Sequence, residues 1–443
     1  MPLLLTICFI LSGAAGLIYE SIWSRYLGLF VGHSAYAQVI VLVIYLGGMS
    51  AGAAIAARYA ERIKDPLTGY AAIEVGVGLI GLFFHDIFGA TTAFAYGSVF
   101  PALSGGASLV IVKWALAALL IVPQSVLLGT TFPLMTSGFL RRVSPDGRAE
   151  SGRVLGVLYF ANSIGAAIGV LVAGFYLIRV AGLPGTILTA AIINILVGLT
   201  VFGATRMQRA DDPGEFGLAG RAAATDTEGP PRVAPAPSEH LPMLWRVMLT
   251  VAAGTALSSF MYEIAWVRML SLVLGSATHS FELMLSAFIL GLALGAWWVR
   301  GRADRFREPI RALAVTQWAM GALAIATLTA YLASFNWMAF LIQGLDQNAE
   351  GYALFTVSKY GIALAVMLPP TICAGMTLPL ITRALLGAVV REHLPEVGDE
   401  GRELLVRLLR DARGGLSIPR IALRHRLQRG KRASERLTFH TIR

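Results

Sequence analysis

Long apolar runs are the feature that most constrains what this chain can fold into. A helix that crosses a bilayer needs about 20 predominantly apolar residues, and ten stretches of the 443-residue sequence reach that length. Only 14% of the residues are charged, against roughly 25% in soluble domains, so a water-soluble globule would lack polar surface. The sequence therefore predicts an all-α, multi-pass integral membrane protein. The predicted spans are residues 3–27, 34–57, 66–88, 105–138, 154–178, 183–204, 243–268, 278–299, 309–334 and 353–384.

The basic residues predict how the chain is oriented. A net charge of +10 would suggest a nucleic-acid partner in a soluble protein. Here Lys and Arg lie in alternate loops, as they do in the cytoplasmic loops of membrane proteins, while connections 86–104 and 335–352 contain neither. We therefore expect a protein of the cell (inner) membrane with both termini in the cytoplasm and no nucleic-acid partner. The basic loops carry Arg58, Arg62 and Lys64, then Arg141, Arg142, Arg148 and Arg153, then Arg300, Arg302, Arg305, Arg307 and Arg311.

An internal repeat predicts the architecture. Residues 12–32 match residues 255–275, and the similarity continues into the later helices of each copy. Six helices per copy would make both copies enter the membrane in the same direction, as the parallel repeats of major facilitator folds do. We therefore expect a major-facilitator-like fold of two parallel repeats. The matched pairs include Tyr19 with Tyr262, Glu20 with Glu263, Trp23 with Trp266, Arg25 with Arg268, Gly48 with Gly291, Gly52 with Gly295, Lys113 with Lys359, Pro123 with Pro369, and Pro133 with Pro379.

The second copy is predicted to be cut to four helices, which gives about ten transmembrane helices in all. Similarity between the copies ends near residue 386, and residues 387–443 hold 13 Lys and Arg against 7 Asp and Glu. This tail is interpreted as a basic cytoplasmic segment, either an amphipathic helix on the inner leaflet or sequence that arose from a change of reading frame. The predicted domains are the first repeat, 1–206, a flexible cytoplasmic linker, 207–242, the second repeat, 243–386, and the tail, 387–443.

Ionisable residues at bilayer depth are the candidate functional residues. Glu20 and Lys113 lie at similar predicted depths on the first and fourth helices, so we expect them to make contact, and the repeat predicts a Glu263–Lys359 contact likewise. Such pairs could fix one helix against another or could serve a substrate or a proton. Glu74 matches the neutral Gln317, and Glu282 matches Val39, which is the asymmetry expected of a binding or proton site. The candidate polar sites are Glu20, Lys113, Glu74, Glu263, Lys359, Gln317 and Glu282.

Three further patterns predict structural roles. Aromatic and basic residues near the outer ends of the first helix of each copy are interpreted as interface anchors, namely Tyr19, Trp23, Arg25, Tyr262, Trp266 and Arg268. Small residues spaced by four predict close helix contacts at Gly48, Gly52, Gly291 and Gly295. Helix kinks are predicted at Pro123, Pro133, Pro369 and Pro379.

No catalytic or cofactor motif can be read from the sequence. Residues 48–52 match G-x-S-x-G, but a nucleophile elbow needs a strand-to-helix turn, and the repeat replaces Ser50 with Ala293. The seven histidines show no metal-binding spacing, and Cys8 and Cys373 lie inside apolar runs. We therefore expect no cofactor, no metal and no catalytic residue in this chain.

Several motifs resemble the membrane region of bacterial fused major facilitator/spermidine synthase-like proteins. These are SGAAGLIYESIWSRYLGLFVGHSAYA, GGMSAGAAIAARYAER, LLGTTFPLM and GRVLGVLYFANSIGAAIG, and the resemblance covers about residues 5–386. It implies a membrane module to which a cytoplasmic aminopropyltransferase domain is normally fused. That domain's Gly-rich donor-binding loop and acidic residues are not found in this sequence, so the resemblance transfers no catalytic residue.

Three functions are consistent with the sequence. The first is a membrane module of such a fusion protein, which anchors or supplies a polyamine-related enzyme without containing its catalytic domain. The second is a self-sufficient secondary transporter of a small solute, such as a cation, and the third is a non-functional truncation product. The expected partners are the lipid bilayer and a small-molecule or polyamine substrate.

Overall fold

The described residues of this chain form helices joined by short connections. A computed structural model describes residues 2–392 apart from 33, 60–62, 104, 144–150, 212–239, 276–277, 301, 303–305, 307 and 347. Within these residues there are ten α-helices, two five-residue π-helical turns at Ala95–Val99 and Ala173–Leu177, and no strand. The helices are α1 (Pro2–Val31), α2 (Ser34–Tyr59), α3 (Pro66–Phe94), α4 (Ala107–Val143), α5 (Ser151–Val172), α6 (Ile178–Asp211), α7 (His240–Leu274), α8 (Thr278–Arg300), α9 (Pro309–Gly344) and α10 (Ala349–Glu392).

The chain divides into two units, Met1–Leu386 and Gly387–Arg443. The first unit contains α1–α6, called the first half below, and α7–α10, called the second half. Most of the predicted linker and all of the tail beyond Glu392 lie outside the described residues. The predictions made for these segments are therefore not tested.

Long apolar helices make this a multi-pass membrane protein. Within the described residues, nine helical segments are long and apolar enough to cross a bilayer. One of them, Val154–Met207, has 54 residues, more than twice the length that a crossing needs. It is broken at Gly182, whose φ of 65° and ψ of −173° are not helical. A residue without a Cβ adopts this conformation without strain, so the two predicted spans 154–178 and 183–204 lie on either side of the break.

The start of α3 shows how local sequence sets a helix boundary. Asp65 caps the helix, because its carboxylate accepts hydrogen bonds from the backbone N–H of Leu67 at 3.1 Å and of Thr68 at 3.4 Å. Pro66 follows at the first helical position, where its missing N–H leaves no hydrogen bond unmade. The predicted start of this span at residue 66 agrees with the observed one.

Helix α1 is surrounded by other helices of the first half. This helix packs on α2, α5 and α6, while α3 packs on α4 and α6, and α2 packs on α4. The core of the first half includes a cluster of aromatic rings, in which Trp23 lies 5.6 Å from Tyr19 and 6.0 Å from Phe84 between ring centroids. The two halves meet where α5 packs on α8.

The burial of these aromatic residues corrects the prediction of an interface belt. Tyr19 and Trp23 are fully buried, and Trp266 is 4% exposed, whereas belt residues face lipid headgroups. Tyr262 is half-buried and stacks on Trp266 with 5.2 Å between ring centroids. The prediction used only height along the helix, and the rotation of the helix turns these rings toward the core.

Close helix contacts recur at equivalent positions of both halves. Gly48 and Gly52 of α2 lie against Ser125 and Val126 of α4, so closely that a Cβ on either glycine would overlap its neighbour. Such an approach is possible only for a residue without a side chain. In the second half, Gly291 lies against Thr371 and Gly295 against Ile372, between α8 and α10.

The prolines of α4 and α10 lie inside continuous helices. Pro123 and Pro133 lie within α4, and Pro369 and Pro379 lie within α10. Hydroxyl groups follow the first proline of each helix by two residues. Ser125 Oγ donates to the carbonyl of Ile121 at 2.9 Å, and Thr371 Oγ1 donates to that of Met367 at 2.8 Å. The predicted kinks at these prolines stay a prediction.

Candidate functional site

A cavity of about 340 Å³ lies between the two halves. Its walls come from α1, α2 and α5 of the first half and from α7, α8 and α10 of the second half. Most of the lining side chains are apolar, including Leu42, Leu46, Phe288 and Leu292. The volume lies at the lower end of the range, roughly 300–1,000 Å³, that is usual for small-molecule sites.

Two carboxyl groups line this cavity, and they occupy equivalent positions of the repeat. Glu20 on α1 and Glu263 on α7 are each 6% exposed. Neither side chain has a hydrogen bond or ion pair with any other described residue, and no Lys, Arg or His lines the cavity. The remaining polar lining residues are Tyr159, Thr255, Ser259 and Thr377. The described lining residues of this cavity therefore contribute two acidic side chains and no basic one.

A smaller pocket of about 30 Å³ adjoins this cavity. It shares Glu20, Leu42 and Glu263 with the larger cavity, and its other lining residues include Gln38 and Arg268. Arg268 is exposed. The two carboxyl groups thus line both the small pocket and the larger cavity.

The predicted contacts of Glu20 with Lys113 and of Glu263 with Lys359 are wrong. Among the described residues no ion pair joins either couple. Lys113 Nζ lies 5.6 Å from the centroid of the Phe100 ring, a cation–π distance. The prediction compared only the heights of the side chains along their helices. The rotations of the helices direct the two carboxyl groups into the cavity instead. In the second half, Lys359 Nζ lies 5.5 Å from the centroid of the Phe355 ring.

Arg25 forms an ion pair with Glu282, which joins α1 of the first half to α8 of the second half. Ser21 Oγ donates to the same carboxylate oxygen at 3.3 Å, and Glu282 is fully buried. The side chain of Arg25 is only 18% exposed, so its predicted role as an interface anchor is wrong. No sequence signal indicated this pair, because its partners are 257 residues apart and belong to different halves.

Glu74 lies outside the cavity, inside the first half. Ser12 Oγ and Asn194 Nδ2 each donate to one of its carboxylate oxygens at 2.5 Å, and the residue is fully buried. The carboxyl group therefore ties α1, α3 and α6 together. Its repeat counterpart, Gln317, is half-buried and donates from Nε2 to Thr377 Oγ1 at 3.0 Å.

The described residues hold no group of three or more His, Cys, Asp or Glu side chains that could bind a metal. Cys8 and Cys373 are both buried and free. The expectation of no cofactor and no catalytic residue stays a prediction.

Comparison with known proteins adds no family assignment. A scan against protein-family models finds no match to this chain, and a search of curated proteins finds none either. The resemblance to fused major facilitator/spermidine synthase-like proteins therefore rests on its sequence motifs and stays a prediction. The described residues show a multi-pass helical membrane protein with a cavity between its two halves, which two carboxyl groups line.

Proposed function

We propose that this protein is a membrane carrier that binds a small ammonium-bearing solute between its two halves. One observation carries the proposal: Glu20 and Glu263 both line the 340 Å³ cavity and have no partner among the described residues. The equivalent first helices of the two repeats supply one carboxyl group each. A solute in the cavity would therefore contact both halves at once.

The physical basis is the cost of a charge at bilayer depth. An ionised carboxyl group in the middle of a membrane costs roughly 2.5 kcal/mol or more unless it is paired. Two such groups beside one another repel, and a bound cation removes both penalties. An ammonium group is suited to this role, because it carries one positive charge and up to three hydrogen-bond donors.

We propose a major-facilitator-like arrangement for the fold. The recurrence of the glycine contacts in α2–α4 and α8–α10 supports two equivalent halves. The position of the cavity between these halves supports it as well, since carriers built from repeats bind their solutes at the repeat interface. The loop charges support an orientation in the cell (inner) membrane with both termini in the cytoplasm.

The role as a membrane anchor or supplier of a spermidine synthase-like enzyme stays a proposal based on the sequence motifs. Polyamines belong to the class of ammonium-bearing solutes, so this role and a carrier function are compatible. The third possibility, a truncation product without function, predicts that the cavity binds nothing.

Binding of amines by the protein in lipid nanodiscs tests the proposal. Radiolabelled putrescine, spermidine and 3-methylbutylamine would be measured by equilibrium dialysis at neutral pH. We expect at least one of them to bind, and Glu20→Gln and Glu263→Gln each to weaken it about tenfold or more, because each removes a charge-assisted hydrogen bond.

The matched control is Glu308→Gln, which makes the same change at a carboxyl group that is 69% exposed and outside the cavity. This variant should bind as the wild type does. If no amine binds, or if the cavity variants and the control bind equally, the proposal is wrong.

A further inference from the structure

The two arginines that the repeat matches have different surroundings. Arg25 pairs with Glu282 of the other half. The position of the first half that corresponds to Glu282 is Val39, and Val39 lines the small pocket together with Arg268. Arg25 thus has the carboxylate of Glu282 as its partner, whereas the matching position near Arg268 is a valine.

The guanidinium group of Arg268 has no hydrogen bond or ion pair with any other described residue, although the backbone carbonyl of this residue accepts a hydrogen bond from Ser271 Oγ. It shares the 30 Å³ pocket with the carboxyl groups of Glu20 and Glu263, which have no such partner either. A site of this size has room for about one water-sized group. Arg268, Glu20 and Glu263 thus border one small space, and none of their charged groups has a partner among the described residues.

These charged groups favour a zwitterionic ligand, which carries one positive and one negative group. A guanidinium group binds a carboxylate through two parallel hydrogen bonds, and carboxyl groups bind an ammonium group. Because Arg268, Glu20 and Glu263 line the same small pocket, the two groups of the ligand must lie close together. An α-amino acid meets this requirement, since a single carbon atom joins its ammonium and carboxylate groups.

The larger cavity then determines the side chain of the ligand. It opens from the same two carboxyl groups, and most of its walls are apolar, with Leu42, Phe288 and Leu292 among them. A charged side chain placed there would lose its hydration without gaining a partner. An aliphatic or aromatic side chain would instead bury its surface against these walls.

We propose that the cavity binds an α-amino acid with an apolar side chain. Its ammonium group lies between Glu20 and Glu263, its carboxylate contacts Arg268, and its side chain fills the larger cavity. This assignment rests on the proposed function, which requires only the ammonium group and the two carboxyl groups. Arg268 is thus the residue that distinguishes an amino acid from a simple amine.

Leucine and two analogues that each lack one of its charged groups test this proposal in nanodiscs. Leucine carries both charged groups, 3-methylbutylamine lacks the carboxylate, and 4-methylpentanoate lacks the ammonium group. We expect the wild type to bind leucine about tenfold more tightly than the amine. Arg268→Gln should remove that advantage and leave the affinity for the amine unchanged.

The matched control is Arg246→Gln, which makes the same change at an exposed position of α7 that does not line either pocket. It should bind leucine as the wild type does. A second variant leaves Arg268 in place: Val39→Glu offers it the partner that Arg25 has in Glu282. The new carboxylate should compete with that of leucine and weaken leucine binding about tenfold.

The outcomes separate this proposal from the one on which it rests. If the amine binds as tightly as leucine and Arg268→Gln changes neither affinity, the amino-acid assignment is wrong and the ammonium site stands. If neither leucine nor any amine binds, the proposed function itself is wrong. If 4-methylpentanoate binds as tightly as leucine, the ammonium contact with Glu20 and Glu263 is wrong.

Discussion

Carboxyl groups in the membrane-spanning helices occur both in the interior of the first half and in the cavity between the halves, but only those in the interior have hydrogen-bond partners. In the first half, each oxygen of Glu74 accepts a hydrogen bond from a neighbouring helix, one from Ser12 and one from Asn194. In the cavity, Glu20 and Glu263 have no partner among the described residues. A carboxyl group that the protein itself satisfies holds helices together, whereas one that it leaves unsatisfied is available to a ligand.

The interface between α1 and α8 adds a third case. Glu282 is fully buried, like Glu74, but its partner is the charged side chain of Arg25. The pair joins the two halves, so a change to it should affect how firmly they hold together. Stability measurements on single variants can therefore rank the three environments.

The largest effect is expected for Arg25→Gln. This change leaves the buried carboxylate of Glu282 without its cation, which typically lowers the free energy of unfolding by about 3 to 5 kcal/mol. Unfolding of the purified protein by titration with dodecyl sulfate would measure it. Combining Arg25→Gln with Glu282→Val should recover part of the loss, because no uncompensated charge then stays buried. A double variant as unstable as the sum of the two single ones would contradict the pairing.

An intermediate effect is expected for Glu74→Ala. It removes the acceptor of both Ser12 and Asn194, and each buried donor left unpaired costs about 1 to 3 kcal/mol, or about 2 to 6 kcal/mol for the two. We expect a loss in the lower part of this range, about 2 to 4 kcal/mol, because the Ser12 hydroxyl can turn to a backbone carbonyl of its own helix. The same titration would measure it. Glu74→Gln keeps the size of the side chain and one carbonyl oxygen, and it should lose less. If both variants unfold like the wild type, Glu74 does not tie the three helices together.

The smallest effect on stability is expected for Glu20→Ala. Because this side chain has no partner among the described residues, its removal should lower the free energy of unfolding by less than about 1 kcal/mol, and loss of the repulsion between the two carboxyl groups should oppose even that decrease. The same variant should lose the binding of amines and of leucine. A large loss of stability would show that Glu20 has a structural role, and the contrast with Glu74 would then disappear.

The sequence predicted the helices better than it predicted their contacts. The spans near 66–88 and 278–299 correspond to α3 and α8, because a run of apolar residues long enough to cross a membrane is a local property. The same holds for the glycines of α2 and α8, whose four-residue spacing places them on one face of a helix. The site was predicted only in part: Glu20 and Glu263 were identified as candidates, but they were assigned to the wrong partners.

The errors share one physical cause. Counting residues gives the height of a side chain along a helix, at 1.5 Å per residue, but not the direction in which the packed helix turns it. The predictions for Trp23 and Lys113 used only their heights along the helices, but Trp23 is buried in the core and Lys113 lies over the ring of Phe100. Arg268 is exposed, so its interpretation as an interface anchor stays a prediction, but the sequence did not indicate that it lines the same small pocket as Glu263.

The sequence by itself determined that this protein is helical and crosses the membrane repeatedly, because those properties depend on the local density of apolar residues. The alignment of residues 12–32 with 255–275 also matched Glu20 with Glu263. Only the tertiary structure decided that Glu20 and Glu263 line one cavity, that Glu74 is enclosed by Ser12 and Asn194, and that Arg25 pairs with Glu282. These contacts depend on how helices distant in sequence are rotated against one another, and only the packing of the whole bundle sets that rotation.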